Sequence, residues 1–395
     1  MFSGMFRTIR RPLEIVVIRY ILISFIVIPV VMWMVWLAAP RKVLPVFILD
    51  KTVLDTDVSE HRSLAWVLTQ EKYCKQTQNL HDRRQDYYGF LPLAGNRGFT
   101  IRDLSGKSEQ DIDSLAHHYQ VAYVAESYGV YQKDLNPDHQ GRNRLVYGGL
   151  SMPEVDFLKK MAENDHLVIG EFNFIGSPTS HLVRQRVENI FGIHWTGWVG
   201  RFMESLDTLE NRDIPEWLPE NYMAQYDGTW PFRGSGIIFV HRSGRLFILE
   251  EDKHLKRKVP VINTKKVHRQ RYGLPKYMEY PFWFDIMQPN SPDHILAYYT
   301  LYTTDMGDSL LLSHGILPTF PAVIRTDAGG GFYYFAGDFS DNPISPHTAR
   351  FRGIHWFQTF FYNPRDITDR RDFFWKFYRP LVTHILAEYF RTLKP

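Results

Sequence analysis

The chain has 395 residues, 44% hydrophobic and 23% charged, an ordinary globular composition with length for two domains or one large one. Its 46 Lys and Arg against 43 Asp and Glu leave a formal net charge of +3, too small and too mixed for the concentrated basic face of a nucleic-acid binder. A single cysteine, Cys74, excludes an internal disulfide framework and a multi-cysteine metal site.

Ile21 to Ala39 is a run of 19 residues without a charge. As a helix rising about 1.5 Å per residue it spans roughly the hydrocarbon core of a bilayer. Residues 15–40 are therefore expected to form a single-pass transmembrane signal anchor, with the lipid bilayer as partner. Pro29 interrupts one backbone hydrogen bond, which membrane helices tolerate, and Trp33 and Trp36 stand near one end, where indoles favour the interface. Arg7, Arg10, Arg11 and Arg19 precede the run and Arg41 and Lys42 follow it. The positive-inside rule then makes residues 1–14 a cytoplasmic tail and 41–395 an extracytoplasmic body. A cleaved signal peptide competes, but the run exceeds a usual h-region and Trp36 occupies a place in "VWLAAP" where small residues precede a cut.

In the body, "VLPVFILD" (Val43 to Asp50) reads as a buried strand, and "EHRSLAWVLTQEKY" as a helix with Leu64, Trp66, Val67 and Leu68 on one face. A polar excursion over 72–110 leads to a helix at "SEQDIDSLAHHY", the strand "VAYVAES", a second loop and the short strand "LVYGG". "SMPEVDFLKKMAEND" carries a capping box, Ser151 with Glu154, and Pro153 in the first turn; "HLVIGEF" follows as a strand. Alternation of this kind predicts a parallel sheet with helices on both faces. Ser177 and Pro178 read as N-cap and first residue of the next helix, with Gly192 as its stop. "GIIFVHRSGRLFILEE", "ILAYYTLYTTDMGDSLLLSHGI" and "FPAVIRTDAGGGFYYFAGDF" are each expected to be hairpins. "DRRDFFWKFYRPLVTHILAEYFRTL" is a terminal amphipathic helix kinked or split at Pro380.

The element order through "FILD", "VAYVAE", "LVYGGLSMPEVDFLKKMAENDHLVIGEFN", "IFGIHWTGW" and "FPAVIRTDAGGGFYYFAGDF" resembles the class I glutamine amidotransferase-like superfamily. It is most similar to variants attached to glycan-processing proteins. The resemblance implies an α/β, flavodoxin-like parallel-sheet core over 43–200 and 319–342, with a β-rich insertion over 201–318 and a C-terminal helical segment over 343–395. Working members of that family place a cysteine at the turn after the strand where Glu171 ends "HLVIGE". This chain has none there and no G-x-S-x-G elbow, so glutaminase chemistry is not implied.

Four strands end in a carboxylate: Asp50, Glu126, Glu171 and Asp338. In an open parallel sheet ligands collect outside the carboxyl ends of the strands, so Asp50, Glu126 and Glu171 are expected to share one crevice. Asp338 belongs to a strand whose direction the pattern leaves open. Close carboxylates raise one another's proton affinity, which lets one act as general acid while another stays ionised, as glycoside hydrolysis requires. They would also suit a hard cation, and a polar residue at a strand end is also the ordinary mark of a chain leaving the core. Tyr128, Asn173, Trp195, Trp198 and His194 are the candidate ligand contacts, the rings for stacking on sugar faces. No H-E-x-x-H, paired C-x-x-C, G-x-G-x-x-G or EF-hand loop occurs, so no metal and no cofactor is implied. The function expected is binding or processing of an envelope polysaccharide, with Glu126 and Glu171 as acid and base or nucleophile and Asp50 orienting. The alternative is a non-catalytic accessory subunit beside a membrane protein partner, such as a polysaccharide synthase.

Overall fold

The computed structural model describes residues 5–93, 98–136, 138–139 and 141–393, and the side chains of the N-terminal helix only at residues 19, 20 and from 23 onward. That helix, α1 (Met5–Ala38), carries the apolar run. Arg7, Arg10 and Arg11, on which the orientation of the anchor rests, lie outside the described side chains. Among the described residues no helix is long and apolar enough to cross a membrane. The described part of α1 exposes Phe25, Ile26, Val30, Val31, Trp33, Met34 and Val35, while Met32 and Trp36, one turn apart, are buried against the body.

The strands that build the two large sheets are, in chain order, β1 (Val46–Asp50), β2 (Tyr88–Pro92), β3 (Phe99–Arg102), β4 (Val121–Glu126), β5 (Leu167–Gly170) and β6 (Ile193–Met203). They continue with β7 (Gly236–His241), β8 (Leu246–Glu250), β9 (Val261–Thr264), β10 (Tyr277–Glu279), β11 (Phe284–Pro289), β12 (Ile295–Thr300), β13 (Thr319–Thr326) and β14 (Phe332–Phe335). The larger sheet has the order β10-β9-β12-β13-β14-β5-β4-β1-β2-β3. Its middle five strands, β14 to β2, run parallel, and the strands outside them pair antiparallel. The parallel centre explains the sequence pattern: β1, β5 and β14 are buried along their whole length, as is β4 up to its last residue. Strands covered on both faces need such continuous apolar runs. Four strands, in the order β8-β7-β6-β11, make a separate antiparallel sheet.

The helices over the parallel centre are, in chain order, α2 (Arg62–Glu71), α3 (Glu109–His118), α4 (Met152–Glu163) and α5 (His181–Phe191). Ser108 and Asp111 form a capping box on α3, and Ser151 with Glu154 forms the expected one on α4. Gly192 ends α5 in the left-handed conformation at φ 67°. Ser180, rather than Ser177, is the N-cap of α5, accepting from Val183 N–H at 3.4 Å; Ser177 and Pro178 belong to the preceding turn.

Three other expectations change. "ILAYYTLYTTDMGDSLLLSHGI" is not a hairpin: β12 is followed by α6 (Asp305–Ser313), whose N-cap Thr304 accepts from Gly307 N–H. The Thr-x-x-Gly start outweighs the β-branched residues around it, because the hydroxyl satisfies an N–H the helix leaves free. The 201–318 segment is not one insertion, since β7, β8 and β11 join the smaller sheet while β9, β10 and β12 extend the larger. β6, placed by sequence at the end of the core, also belongs to the smaller sheet. At the C-terminus a π-helical turn, Phe374–Tyr378, leads without a break into α7 (Arg379–Thr392), so the helix is not split at Pro380, which directly follows the π turn.

Gly89 faces Asp50 across the β1–β2 pair at φ 133°, and a Cβ there would lie 1.6 Å from Asp50 O. Only glycine lets the two backbones meet. The next residue, Lys51, is buried, with Nζ 2.8 Å from both Glu154 Oε2 and Gly149 O and 4.9 Å from the Tyr147 ring centroid. This pair fixes the chain leaving β1 to the start of α4. Lys51→Met leaves Glu154 charged and uncompensated, and is expected to lower stability by about 3–5 kcal/mol. Lys51→Met with Glu154→Leu should recover most of that loss, less the capping box, in urea midpoints.

Candidate functional site

From β1 the chain passes to β2 on one side, then returns to place β4 on the other. Such a reversal of strand order is where open α/β sheets place their ligand crevice, here at the carboxyl ends of β1 and β4. Asp50 and Glu126, the last residues of those strands, are register partners there. Glu171 follows β5, and its N–H donates to Val124 O at 3.0 Å. β14 runs parallel to β5, so Asp338, just beyond it, reaches the same end, which settles the direction the pattern left open.

The carboxylates differ in what holds them. Asp50 is fully buried; its Oδ2 lies 2.6 Å from His61 Nδ1 and its Oδ1 accepts from Thr52 N–H at 3.2 Å. His61 Nε2 lies 2.9 Å from Arg83 O, which only accepts, so that nitrogen carries its hydrogen. The Asp50–His61 contact then needs a second proton, shared between ring and carboxyl. Glu171 is also buried. Its Oε2 accepts from Ser340 N–H at 3.1 Å and Ser340 Oγ at 2.6 Å, and its Oε1 accepts from the Tyr123 hydroxyl, which lies 2.8 Å from the Tyr378 hydroxyl. Burial pushes Glu171 well above the usual carboxylate range against the pull of those donors, and Asp338 adds to the rise.

Asp338 is paired with Arg370 at 2.8 Å, and the same guanidinium reaches Asp341 at 3.2 Å. Burial raises Asp338 and Arg370 opposes the rise. Burial works against the charge of Arg370 too, but Asp338 and Asp341 outweigh it and keep the guanidinium charged. Among the described residues no cation pairs with Glu126, and Asn173 Nδ2 donates to it at 3.4 Å. Burial, then Asp338, Asp50 and Glu60, push its carboxyl well above the usual range. Glu60 is pushed to about 8 by burial and by Asp50, and its Oε2 has no hydrogen-bond partner. Glu126, Glu60, Asp338 and Arg370 all keep partial exposure. They form the open part of the cluster, over a floor of Asp50 and Glu171.

Asn173, a sequence candidate, belongs here: it stands at φ 60°, a region asparagine tolerates, and its N–H donates to Asp285 Oδ2 at 3.0 Å. Tyr128 is near enough for Glu126 to help raise its hydroxyl, after burial, Tyr131 and Asp134. Trp195, Trp198 and His194 do not join the crevice. They lie on β6 in the smaller sheet. The Trp195 indole donates to Trp198 O at 3.1 Å beneath Arg184, and Trp198 packs edge-on to Phe247 and His314. Both rings are buried and offer no face to a ligand. His194 is paired with Glu188 at 3.3 Å.

Sequence reasoning missed Glu60, His61, Ser340, Arg370 and Trp283. Trp283 is partly exposed, accepts from Asp338 N–H at 3.2 Å through its carbonyl, stacks on Phe172 at 6.2 Å, and lies under Arg201 at 5.7 Å. "EHRSL" and "YPFWF" contain three of these residues, but neither phrase has a spacing that marks a site. Among the described residues, no group of three or more His, Cys, Asp or Glu is arranged to hold a metal ion. Cys74 is buried away from the crevice, its thiol raised by burial and its Sγ 3.3 Å from Lys42 O.

Neither a family model nor a curated protein matches the sequence. Among solved structures, a ThuA-like protein from Parabacteroides merdae is similar over 80% of this chain and 90% of its own, at 12% identity and a TM-score of 0.34. A likeness of that size carries no argument, and the site stands on its own geometry.

Because the folded state binds the Glu60 proton more tightly than the unfolded chain does, its contribution to stability is complete below about pH 4.5 and is lost as pH rises through about 8. Glu126 acts in the same direction. Glu60→Gln is expected to flatten the fall in stability across that window and to raise the urea midpoint at its alkaline end. Equal slopes for Glu60→Gln and the parent chain would contradict the assignment.

Proposed function

We propose that this chain is a membrane-anchored, extracytoplasmic protein that binds and processes an envelope polysaccharide in the strand-end crevice by acid–base chemistry. One observation carries the reading: Glu126 is partly exposed, lacks a cation and stands among carboxylates that keep its proton in place. Asp338 is a neighbouring carboxylate with a cation, Arg370. Burial raises both carboxyl groups, but Arg370 opposes the rise at Asp338 and no cation opposes it at Glu126, which assigns the roles: Glu126 gives a proton to a leaving oxygen, and Asp338 acts as the base or nucleophile. Glu171, expected from sequence to share the chemistry, has both oxygens engaged and instead orients the Asp338–Ser340 turn. The buried Asp50–His61 pair lies beneath the cleft. Trp283 supplies a flat apolar face, and Arg201 and Arg370 supply fixed donors, the combination that hydroxyl-rich rings need.

The anchor is supported by the 19-residue uncharged run and by the apolar side chains that α1 leaves uncovered on all sides but the one holding Met32 and Trp36. The amidotransferase-like element order supports a ligand at the strand ends, not an amide-transfer reaction, since no cysteine stands at the turn after β5.

Incubating the full-length chain in detergent with a panel of envelope glycans should yield new reducing ends. Glu126→Gln is expected to lower turnover about 10²–10⁴-fold, the usual worth of a positioned acid, and to remove the alkaline limb of the pH–rate profile. Unchanged glycans and no binding across the panel would exclude this reading. The second reading, a non-catalytic subunit of a membrane-associated assembly such as a polysaccharide synthase, is favoured by the full engagement of Glu171. It requires Glu126→Gln to keep every partner that the parent chain co-purifies with.

A further inference from the structure

The end of α1 does not stand clear of the body. Met32 and Trp36 dock on it: the Trp36 indole donates to Thr69 O at 3.1 Å, and Lys72 Nζ lies 2.9 Å from Leu37 O, 2.6 Å from Ala39 O and 4.9 Å from the Trp36 ring centroid. Arg352 N–H donates to Met32 O at 3.1 Å, and Arg352 Nη1 lies 3.1 Å from Gln70 O and 3.2 Å from Glu71. Met32 precedes the last helical residue, Ala38, by six positions, about 9 Å along the axis. The body edge that begins at Arg352 therefore lies beside the last turns of the helix and not beyond them.

That edge continues from Gly353, at φ 86°, into a 3₁₀ segment, Ile354–Phe360. Two of its large apolar side chains point outward, Trp356 at 79% exposure and Phe360 at 81%. Two such rings on one short segment cost apolar surface that the fold has every means to bury. Exposed basic residues flank the segment in sequence, Arg350 before it and Arg365 after it, next to the exposed acid Asp366, and Arg41, three residues past the end of α1, is exposed as well. Aromatic rings with flanking arginines beside the end of an apolar helix have the composition that suits the boundary between acyl chains and headgroups.

We propose that Trp356 and Phe360 insert into the interfacial layer of the bilayer that α1 crosses, with Arg41, Arg350 and Arg365 at the level of anionic headgroups. The inference rests on the anchored reading of α1 and adds to it a second, aromatic contact. Two attachment points remove the rotation a single helix would allow, so the body takes one orientation on the membrane.

Full-length chain reconstituted in nanodiscs of phosphatidylcholine and phosphatidylglycerol tests this with a nitroxide carried in turn by Phe25→Cys, Trp356→Cys and Leu209→Cys. Cys74 is buried and stays unlabelled. Phe25 and Leu209 are both exposed, the first on α1 and the second in the body. Collision with oxygen reports acyl chains, and collision with a water-soluble nickel chelate reports solvent. The expected result is a label deep in the bilayer at position 25, a label at 356 with nickel collision several-fold below that at 209 and oxygen collision above it, and full solvent access at 209. A label at 356 as open to nickel as that at 209, with 25 still deep, overturns the interfacial contact and leaves the anchor standing. A label at 356 shielded from both reagents overturns it in favour of a protein partner or a second copy. Nickel access at position 25 overturns the anchored reading and this inference together.

Discussion

The constraint on which the rest of this structure depends is electrostatic: four parallel strands deliver Asp50, Glu126, Glu171 and Asp338 to one end of a sheet, and Glu60 and Asp341 join them from adjacent turns. Six carboxylates cannot all be charged in so small a partly dry volume. The molecule resolves this in three ways. Arg370 bridges Asp338 and Asp341. His61 shares a proton with Asp50. Glu126 and Glu60, which have no cation, keep their own protons well beyond the usual carboxylate range. The protons retained because no counter-charge is supplied are the ones available for transfer.

The floor of the cluster is built as tightly as the mouth is loose. Glu171 spends both oxygens on Ser340 and Tyr123, and Ser340 Oγ also contacts Glu60 O, so the turn after β14 is tied to the start of α2 through one serine. Ser63 N–H returns a bond to Ser340 O, and Asn342 reaches Ser63 Oγ at 2.9 Å. Buried polar groups satisfied in this way rigidify what they join. Such a floor lets the partly exposed groups above it hold fixed distances, which general acid–base chemistry needs more than it needs any one residue type.

The fold was legible where local chemistry decides it. The capping box at Ser151 and Glu154, the stop at Gly192 and the apolar runs of β1, β4 and β5 are short-range signals, and tertiary packing only confirms them. The strand-end acids were legible for the same reason, because a parallel sheet turns a sequence position into a spatial one. Arg370, 32 positions from Asp338, and Trp283, the residue just before β11, were not. Nothing in "DRRD" or "YPFWF" records which distant turn they will meet. Trp195 and Trp198 failed as candidates because a tryptophan on an inward-facing strand position gains more from burial than from exposure. The helix α6 was hidden by β-branched neighbours, and only the Thr304 cap marks it.

One helix links the carboxylate cluster to α1. α2 begins directly after Glu60 and His61, beside the cluster, and ends at Glu71, beside the residues that hold α1: Thr69 O receives the Trp36 indole, and Arg352 bridges Gln70 and Glu71 to Met32. Its ten residues span about 15 Å. Leu64, Trp66, Val67 and Leu68 bury one face of it in the core, with Trp66 edge-on to Phe374 and Trp375, so it cannot tilt without opening the body. On the proposed anchoring of α1, a rigid strut with the raised carboxyls at one end and that helix at the other would fix the height of the crevice above the bilayer. Such a fixed height would suit the proposed polymer ligand, lying along the surface or leaving it. A freely tethered domain would sweep a range of heights and hold its acid at none of them.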